Sequence, residues 1–406
     1  MDQNTDSYIG AIGIYAPPWI RGRQRVAGPD EDALTMAVAA ARAADPGATA
    51  SRVVLVSRSF PLLEGGNGAV LLAGLSLSED VPVSEVLGGG PAVLDQLLGA
   101  APGTLVVAAD SDDEHRAAAA LISDHGTLLT CVGRVTRSLP VTARGANGVR
   151  HFYGDPRLQR EIGAKASLGS IELDGSVIAA AGLTAKDIDA ATVHPGAVFE
   201  KHGSASAVIA ALGRVIDAGI EGLLVTAEQA TVSAARVSPG LTEVRRDEAE
   251  PEALPTFVYA EGVGIPISLA AYSRAFEPKL RWEGAVFASA PGIDDAPVFP
   301  PRLRTDDNGV LVADYQLRPL PRTGTVYTHT TIRIPVPDLP SPYTIAVIQL
   351  DDSPVRVLLK VTGVAAGSTQ VGQSGAVVLR KIADRAGIPD YGYAFRPDRV
   401  EQGVSA

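Results

Sequence analysis

The chain offers few side chains that could act as nucleophiles, since it contains one cysteine, Cys131, and six histidines. Cys131 lies in the apolar run TLLTCVG. A thiol flanked in this way is typical of an inert core position, because reactive thiolates need an electropositive, partly exposed setting. A single cysteine forms neither an intramolecular disulfide nor a CxxC metal pair. We therefore expect a buried, unreactive thiol and no structural metal site.

Two histidines lie at positions suited to a catalytic role. His194, in VHPG, follows the predicted strand 190–193 and precedes a proline. His202, in KHGSAS, precedes the predicted helix 204–218, whose first N–H groups lack intrahelical partners. The alternative for both is a structural or exposed histidine. His125, in SDHGT, is a weaker candidate that could equally be a turn residue.

The glycine-rich stretches and the arginines allow phosphate binding but do not prove it. GGNG at 65–68 and GGG at 88–90 lack the closing Gly-Lys-Ser/Thr of a P-loop, so we assign both to turns. Arg21, Arg23 and Arg25 follow the first predicted strand and could contact the phosphates of a cofactor. A solvated basic loop is the alternative.

The bulk composition indicates a globular protein of two or three domains. The chain has 406 residues, 46% hydrophobic and 20% charged, which excludes a disordered polymer. The net charge of −11 argues against nucleic-acid or anionic-membrane binding over the whole surface. No apolar run is long enough to span a bilayer, and residues 1–10 do not resemble a signal peptide, so we expect a cytoplasmic protein. The excess of Ala, Gly and Arg suggests a GC-rich bacterial source.

The order of predicted elements divides the chain into an α/β part and an all-β part. Apolar strand runs alternate with Ala-rich helical stretches up to the charged segment 243–252, the best boundary candidate. From about residue 327, short strands with no long helix between them predict a small barrel. The predicted strands of the α/β part are 8–15, 52–57, 104–109, 127–132, 190–193 and 222–227, and its helices are 30–44, 113–123, 183–188 and 204–218.

The α/β part resembles the hydroxymethylglutaryl-CoA synthase branch of the thiolase superfamily, which includes the ketoacyl synthase III type. The matching segments are IGAIGIYAPPWIRGR at 9–23, GPDEDALTMAVAAARAA at 28–44, RVVLVSRS at 52–59, TLVVAADS at 104–111, DHGTLLTCVGRV at 124–135, DIDAATVHP at 187–195 and KHGSASAVIAALGRVIDAGIEGLLVTA at 201–227. This resemblance implies an α/β layered fold, here shortened, that acts on acyl-CoA thioesters and forms dimers.

The resemblance also implies a cysteine nucleophile at a helix N-terminus and a glutamate acid/base, and neither is present. The nucleophile segment falls on SEVLGGGPAVLDQLL at 84–98, where Leu87, Gly88 and Gly89 occupy the place of the cysteine. Arg58 or Ser59 stands at the glutamate position, and an arginine does not exchange protons near neutrality. His194 and His202 match the two loops whose side chains hydrogen-bond the thioester oxygen in relatives.

The all-β part resembles the OB-fold domain that accompanies thiolases and synthases in acyl-CoA complexes. Relatives place a zinc ribbon before this domain, but the stretch 280–302 has no cysteine. We therefore expect three segments: a thiolase-like domain over 1–242, a connector with a degenerate zinc-ribbon region over 243–300, and an OB-fold domain over 301–406. The segments that carry the resemblance are FPPR at 299–302, GTVYTHTTIR at 324–333, PYTIAVIQLDD at 342–352, VRVLLKVTGV at 355–364, VGQSGAVV at 371–378 and YGYAFRP at 391–397.

Three functions are compatible with these observations. The first is an acyl-CoA-binding acyltransferase or condensing component that works with an intact thiolase or ketosynthase, with Arg21 and Arg23 near the phosphates of coenzyme A. The second is a stand-alone, cysteine-independent aldolase-like lyase or acyltransferase that uses His194 and His202. The third is a structural assembly subunit without catalytic activity. In each case we expect a homodimer, no tightly bound cofactor and no metal.

Overall fold

The computed structural model describes residues 6–62, 65–111, 115–147, 149–189, 192–200, 202–262, 269–287, 292–337, 339–385 and 388–399. These residues form two compact units. The first unit comprises Met1–Pro17, Met36–Leu71 and Leu77–Ala249, and the second comprises Pro18–Thr35, Leu72–Ser76 and Glu250–Ala406. The predicted segments 1–242, 243–300 and 301–406 stay a prediction.

The first unit is built on one mixed sheet, with strands numbered along the whole chain. The strand order is β12-β11-β13-β14-β8-β1-β7-β6-β4-β5, and β15 pairs with β1. Parallel pairs lie towards the two ends of this order, at β11–β12, β11–β13, β4–β5 and β4–β6. The strands are β1 (Asp6–Ala16), β4 (Arg52–Ser57), β5 (Val83–Leu87), β6 (Thr104–Asp110), β7 (Arg116–Ser123), β8 (Thr127–Thr136), β11 (Val177–Ala181), β12 (Val193–Glu200), β13 (Gly222–Glu228), β14 (Thr231–Ser238) and β15 (Glu243–Glu248).

Helices pack against this sheet, and several of them consist mostly of buried residues. The helices are α1 (Ala33–Ala44), α2 (Asn67–Leu75), α3 (Gly90–Gly99), α4 (Pro156–Ile162), α5 (Ala164–Leu168) and α6 (Ala205–Asp217), and a hairpin pairs β9 (Thr142–Arg144) with β10 (Arg150–Phe152). Helix α3 packs against α6, and both contribute to the main apolar core. Gly13 lets β1 approach α1 closely, because a Cβ there would lie 2.1 Å from the carbonyl oxygen of Ala40.

Most predicted elements of the first unit are confirmed, but the predicted helix 113–123 is wrong. Its described part is strand β7, which pairs with β6 on one side and β1 on the other. The alanines that favour a helix in isolation are here buried between two strands, and this tertiary pairing overrides local propensity. Residues 113–114 lie outside the described residues.

Four smaller differences concern segment ends and turns. The helix predicted over 30–44 begins at Ala33, and the short helix predicted over 183–188 is a turn. The predicted strand 190–193 begins on residues outside the described part, and β12 starts at Val193. The charged segment that was expected to end the α/β pattern instead begins with β15, which pairs in parallel with β1.

Cys131 is exposed, so the expected burial is wrong. Among the described residues, strand β1 pairs with β8 from Thr127 to Thr130. The apolar flanks predicted a core position because they do not show whether another element covers the side chain.

The second unit contains the closed barrel that the sequence predicts. Strands β21 (Thr323–Ile332), β22 (Tyr343–Leu350), β23 (Arg356–Val361), β24 (Ser374–Arg385) and β25 (Ile388–Pro397) close in the order β21-β22-β23-β25-β24. Alternate residues point inward, as expected for a half-buried sheet. The other elements are β2 (Trp19–Arg21), β3 (Gln24–Val26), β16 (Glu252–Ala253), α7 (Leu269–Arg281), β17 (Glu283–Phe287), β18 (Arg304–Thr305), β19 (Leu311–Val312) and β20 (Tyr315–Pro319).

The region before the barrel is held together by apolar side chains. Strands β17 and β20 pair antiparallel, and Phe287, Val298 and Tyr315 form part of a small cluster on them. No group of three or more His, Cys, Asp or Glu side chains that could hold a metal ion occurs among the described residues. Within the same residues, no helix is both long and apolar enough to cross a membrane.

Candidate functional site

Helix α3 begins at the place where the resemblance puts the missing nucleophile. Gly89 is the N-cap residue and Gly90 the first residue of the helix. The backbone N–H of Gly89 donates a hydrogen bond of 2.7 Å to Oε2 of Glu228, the last residue of β13. A carboxylate is favoured at this position because the first N–H groups of a helix lack intrahelical partners and carry a partial positive charge. Glu228 therefore occupies the anion-binding end of α3.

The N-terminus of α3 has no space for a nucleophilic side chain. A Cβ on Gly89 would lie 2.5 Å from the carbonyl oxygen of Gly203 and 2.9 Å from the carboxylate of Glu228. A Cβ on Gly90 would lie 2.1 Å from Oγ1 of Thr226, a fully buried side chain. The nucleophile is thus absent in residue type, and the space for it is filled.

The environment of Glu228 raises the pKa of its carboxyl group. Burial raises the pKa of this carboxyl above its ordinary value of 4.5. The hydrogen bond from Gly89 and the charge of Arg58 oppose that effect, whereas the negative charge of Asp110 adds to it. Because the burial effect is the largest, Glu228 is a group that can hold or release a proton at a higher pH than an exposed glutamate.

Asp110, the last residue of β6, is a second carboxylate at a helix N-terminus. It is fully buried and accepts hydrogen bonds from the backbone N–H and Nε of Arg58, at 2.8 and 2.9 Å. The N–H of Ala205, the first residue of α6, donates a further hydrogen bond of 2.7 Å to it. Arg58, at the position where relatives have a glutamate, thus binds a carboxylate. We call Glu228, Asp110 and Arg58 the carboxylate cluster.

A third acidic residue ends strand β12, which is separated from β13 by β11. Glu200 is buried and forms ion pairs with Arg116, at 3.2 Å, and with Arg214 of α6. Strands β12, β11 and β13 are parallel, so Glu200 and Glu228 lie at the same edge of the sheet. Parallel sheets gather functional side chains at their carboxyl ends.

The structure separates the two predicted catalytic histidines. His202 is exposed and directly precedes Gly203, whose carbonyl group lies against Gly89 beside the carboxylate cluster. His194 lies at the opposite end of β12, where its Nδ1 accepts a 3.0 Å hydrogen bond from the N–H of Gly196. The seven residues from His194 to Glu200 span about 20 Å of extended chain. The catalytic role of each histidine stays a prediction, but they do not form one pair.

The predicted phosphate-binding arginines lie in the second unit. Arg21 ends β2, and Arg23 lies in the turn to β3 after Gly22, which has a φ of +66°. Both arginine side chains are exposed. The positive φ suits glycine and makes a tight hairpin that presents the two guanidinium groups from neighbouring positions. Their contact with coenzyme A stays a prediction.

Sequence reasoning missed Glu228 and Asp110. Each is an acidic residue placed directly after a fully apolar strand run, in GLLVTAE and TLVVAAD. An acidic residue at the end of a buried strand could have predicted this site, because a buried carboxylate needs hydrogen-bond donors close to it.

The family-model comparison agrees with the resemblance drawn for the all-β part. Residues 317–380 match the family model described as the C-terminal OB-fold domain of ChsH2. No curated protein matches the chain. Among solved structures, 3-oxoacyl-[acyl-carrier-protein] synthase III from Aquifex aeolicus is 15% identical with a TM-score of 0.46, over 57% of this chain and 99% of that one.

Two further structures show a similar degree of likeness. OleA from Xanthomonas campestris is 15% identical with a TM-score of 0.46, over 58% of this chain and 98% of that one. PksG, an HMG-CoA synthase from Bacillus subtilis, is 13% identical with a TM-score of 0.42, over 58% of this chain and 80% of that one.

Proposed function

We propose that this chain is an acyl-CoA-binding component of a thiolase-type condensing system that forms no acyl-enzyme itself. The observation that carries the proposal is the carboxylate of Glu228 at the N-terminus of α3, 2.7 Å from the amide nitrogen of Gly89. An acyl-enzyme needs a thiolate at such a helix end. Here the amide already binds an anion, and a side chain on Gly89 or Gly90 would overlap with its neighbours. A partner thiolase or ketosynthase would then supply the cysteine.

Binding of coenzyme A is supported by the hairpin that carries Arg21 and Arg23. Two exposed guanidinium groups on one tight turn suit the phosphates of the nucleotide portion, because arginine pairs with phosphate through two parallel hydrogen bonds. The expected test is calorimetric titration with coenzyme A and acetyl-CoA. We expect the double variant Arg21→Ala/Arg23→Ala to weaken binding of coenzyme A. The control Arg302→Ala/Arg318→Ala changes two exposed arginines elsewhere and should leave that binding unchanged.

The partner is tested by purifying the tagged full chain from its native host. We expect mass spectrometry to identify a co-purifying thiolase or ketosynthase, and light scattering to report a dimer of the isolated chain. Incubation with acetyl-CoA should acetylate the cysteine of the partner and add no mass to this chain. An acetyl group on this chain at Cys131 or any other residue, retained after denaturation, would refute the proposal.

The raised pKa of Glu228 favours a second candidate, a cysteine-independent lyase acting on hydroxyacyl-CoA thioesters. Glu228 would take the proton of the β-hydroxyl group, the carbon–carbon bond would break, and its electron pair would pass to the thioester enolate. The test is cleavage of a β-hydroxyacyl-CoA by the isolated chain. Glu228→Gln should abolish cleavage, and the exposed control Glu221→Gln should retain it.

The outcomes separate the proposals. Turnover by the isolated chain that depends on Glu228 would favour the lyase, and turnover that requires the partner would favour the condensing component. If neither coenzyme A nor acetyl-CoA binds, the chain is a structural assembly subunit. Replacing His202 and His194 by alanine, one at a time, would show whether either histidine contributes to turnover.

A further inference from the structure

The second unit contains a cavity of about 170 Å³ that the proposed function does not use. It is lined by the start of β22, by the end of β23 with the residues up to 366, and by Trp19, Pro29, Asp30, Pro255, Phe257, Pro340 and Pro342. This volume is several times the roughly 30 Å³ that one water molecule takes in the liquid, so the cavity accommodates a small organic molecule. The walls are mostly apolar and include Trp19, Phe257, Tyr343, Pro29, Pro255 and Pro342.

Lys360 lies in this cavity without a polar partner. On β23, Val357, Leu359 and Val361 are buried, while Lys360 alternates with them and is covered by the cavity walls. Its Nζ lies 5.8 Å from the centroid of the Tyr343 ring. Within the described part of the chain, the side chain of Lys360 forms no hydrogen bond and no ion pair. A lysine ammonium carries three donors, and burial without acceptors is unfavourable for the charged form.

The charges around Lys360 are few. Among the described residues that line the cavity, Asp30 and Tyr343 are the other titratable side chains. Asp30 is 6% exposed, and its charge acts on Lys360 without forming an ion pair. Burial lowers the pKa of Lys360, and the charge of Asp30 opposes this in part. The amine thus has a nearby carboxylate that can accept or return a proton, while its own nitrogen stays free to react.

We propose that this cavity is a covalent binding site for a small ketone or aldehyde, with Lys360 as the amine that attacks the carbonyl carbon. A desolvated lysine in an apolar pocket is the arrangement that favours imine formation. The nitrogen forms a bond to the carbonyl carbon, and the carbonyl oxygen takes up a proton to give a carbinolamine. Loss of that oxygen as water then leaves the C=N bond. Asp30 relays the protons, and the net reaction is amine plus carbonyl to imine plus water. The cavity volume limits the ligand to a short carbon chain.

The experiment traps the imine in the full-length protein with butanone and sodium cyanoborohydride, which reduces C=N bonds. Peptide mass spectrometry then compares labelling at Lys360 with labelling at the exposed Lys186 in the same molecule. We expect one butyl adduct per chain, formed several-fold faster at Lys360. Labelling at Lys360 should also persist at lower pH than labelling at Lys186, because the cavity favours the neutral amine.

Two variants define the site. Lys360→Met should lose the fast adduct, and Lys186→Met should retain it. Equal labelling rates at the two lysines of the wild-type protein would overturn the proposal, and that comparison needs no folded variant. A fast adduct that survives in a folded Lys360→Met protein would overturn it as well.

Discussion

Gly90→Ala tests whether the N-terminus of α3 is closed to a side chain. The added Cβ would lie 2.1 Å from Oγ1 of Thr226 and 3.2 Å from Cγ2 of Val208, whereas ordinary contacts start near 3.4 Å. Thr226 lies on β13 and is fully buried, so it cannot move into solvent. Overpacking of this kind costs about 1–3 kcal/mol. Replacing glycine by alanine in a helix returns about 0.5–1 kcal/mol, so we expect a net loss of up to about 2.5 kcal/mol.

The same helix supplies a matched control, because a Cβ on Gly99 would meet no atom within 4 Å. Gly99→Ala should therefore be neutral or stabilising by up to about 0.5–1 kcal/mol. Urea unfolding of both variants measures the difference. The double variant Gly90→Ala/Thr226→Ala should show a favourable coupling of about 1–3 kcal/mol, because Oγ1 of Thr226 has no hydrogen-bond partner to lose. If both glycine variants are equally stable, or if Thr226→Ala gives no rescue, the N-terminus of α3 is open and the reasoning is refuted.

Three other predictions concern buried charges. Because the fold raises the pKa of Glu228, the native state binds more protons than the unfolded state, and stability falls as pH rises above about 4.5. Thermal unfolding at several pH values should show that Glu228→Gln removes this loss of stability, and an unchanged pH profile would contradict the prediction. Arg380→Met removes the ion pair that the guanidinium group forms with the buried carboxylate of Glu31 at 3.3 Å. Urea unfolding should show a loss of about 3–5 kcal/mol in the free energy of unfolding, and adding Glu31→Gln should recover much of that loss. Tyr391→Phe removes the 2.8 Å hydrogen bond that the phenol group donates to Oδ2 of Asp32. The free energy of unfolding should fall by about 1–3 kcal/mol, and a smaller change would mean that water replaces the hydroxyl group.

Much of the fold could be predicted from local patterns. The runs that form β4, β6 and β13 are short, apolar and bounded by turn residues, so their burial followed from composition alone. The barrel strands could be predicted for the same reason, because their alternation matches one buried and one exposed face. Strand β7 could not, since its alanines form a strand only through pairing with β1 and β6.

The candidate site could be predicted only in part. The resemblance placed a helix start near Gly88 and put both His194 and His202 on loops of the same site. The structure puts His202 beside Gly89 and His194 at the opposite end of β12, because strand direction and length decide which end a residue occupies. Cys131 was assigned to the core from its apolar flanks, which do not show whether another element covers the side chain.

The sequence by itself determined that the nucleophile is missing, because residue type is a local property and glycines at 88–90 have no reactive atom. Only the tertiary structure decided what occupies that place. Glu228 is 139 residues from Gly89, and Asp110 is 95 residues from Ala205, yet each carboxylate binds the backbone amide at the start of a helix. Buried carboxylates need such donors, and helix N-termini present them, so the packing of α3 and α6 against the strand ends brings these groups together.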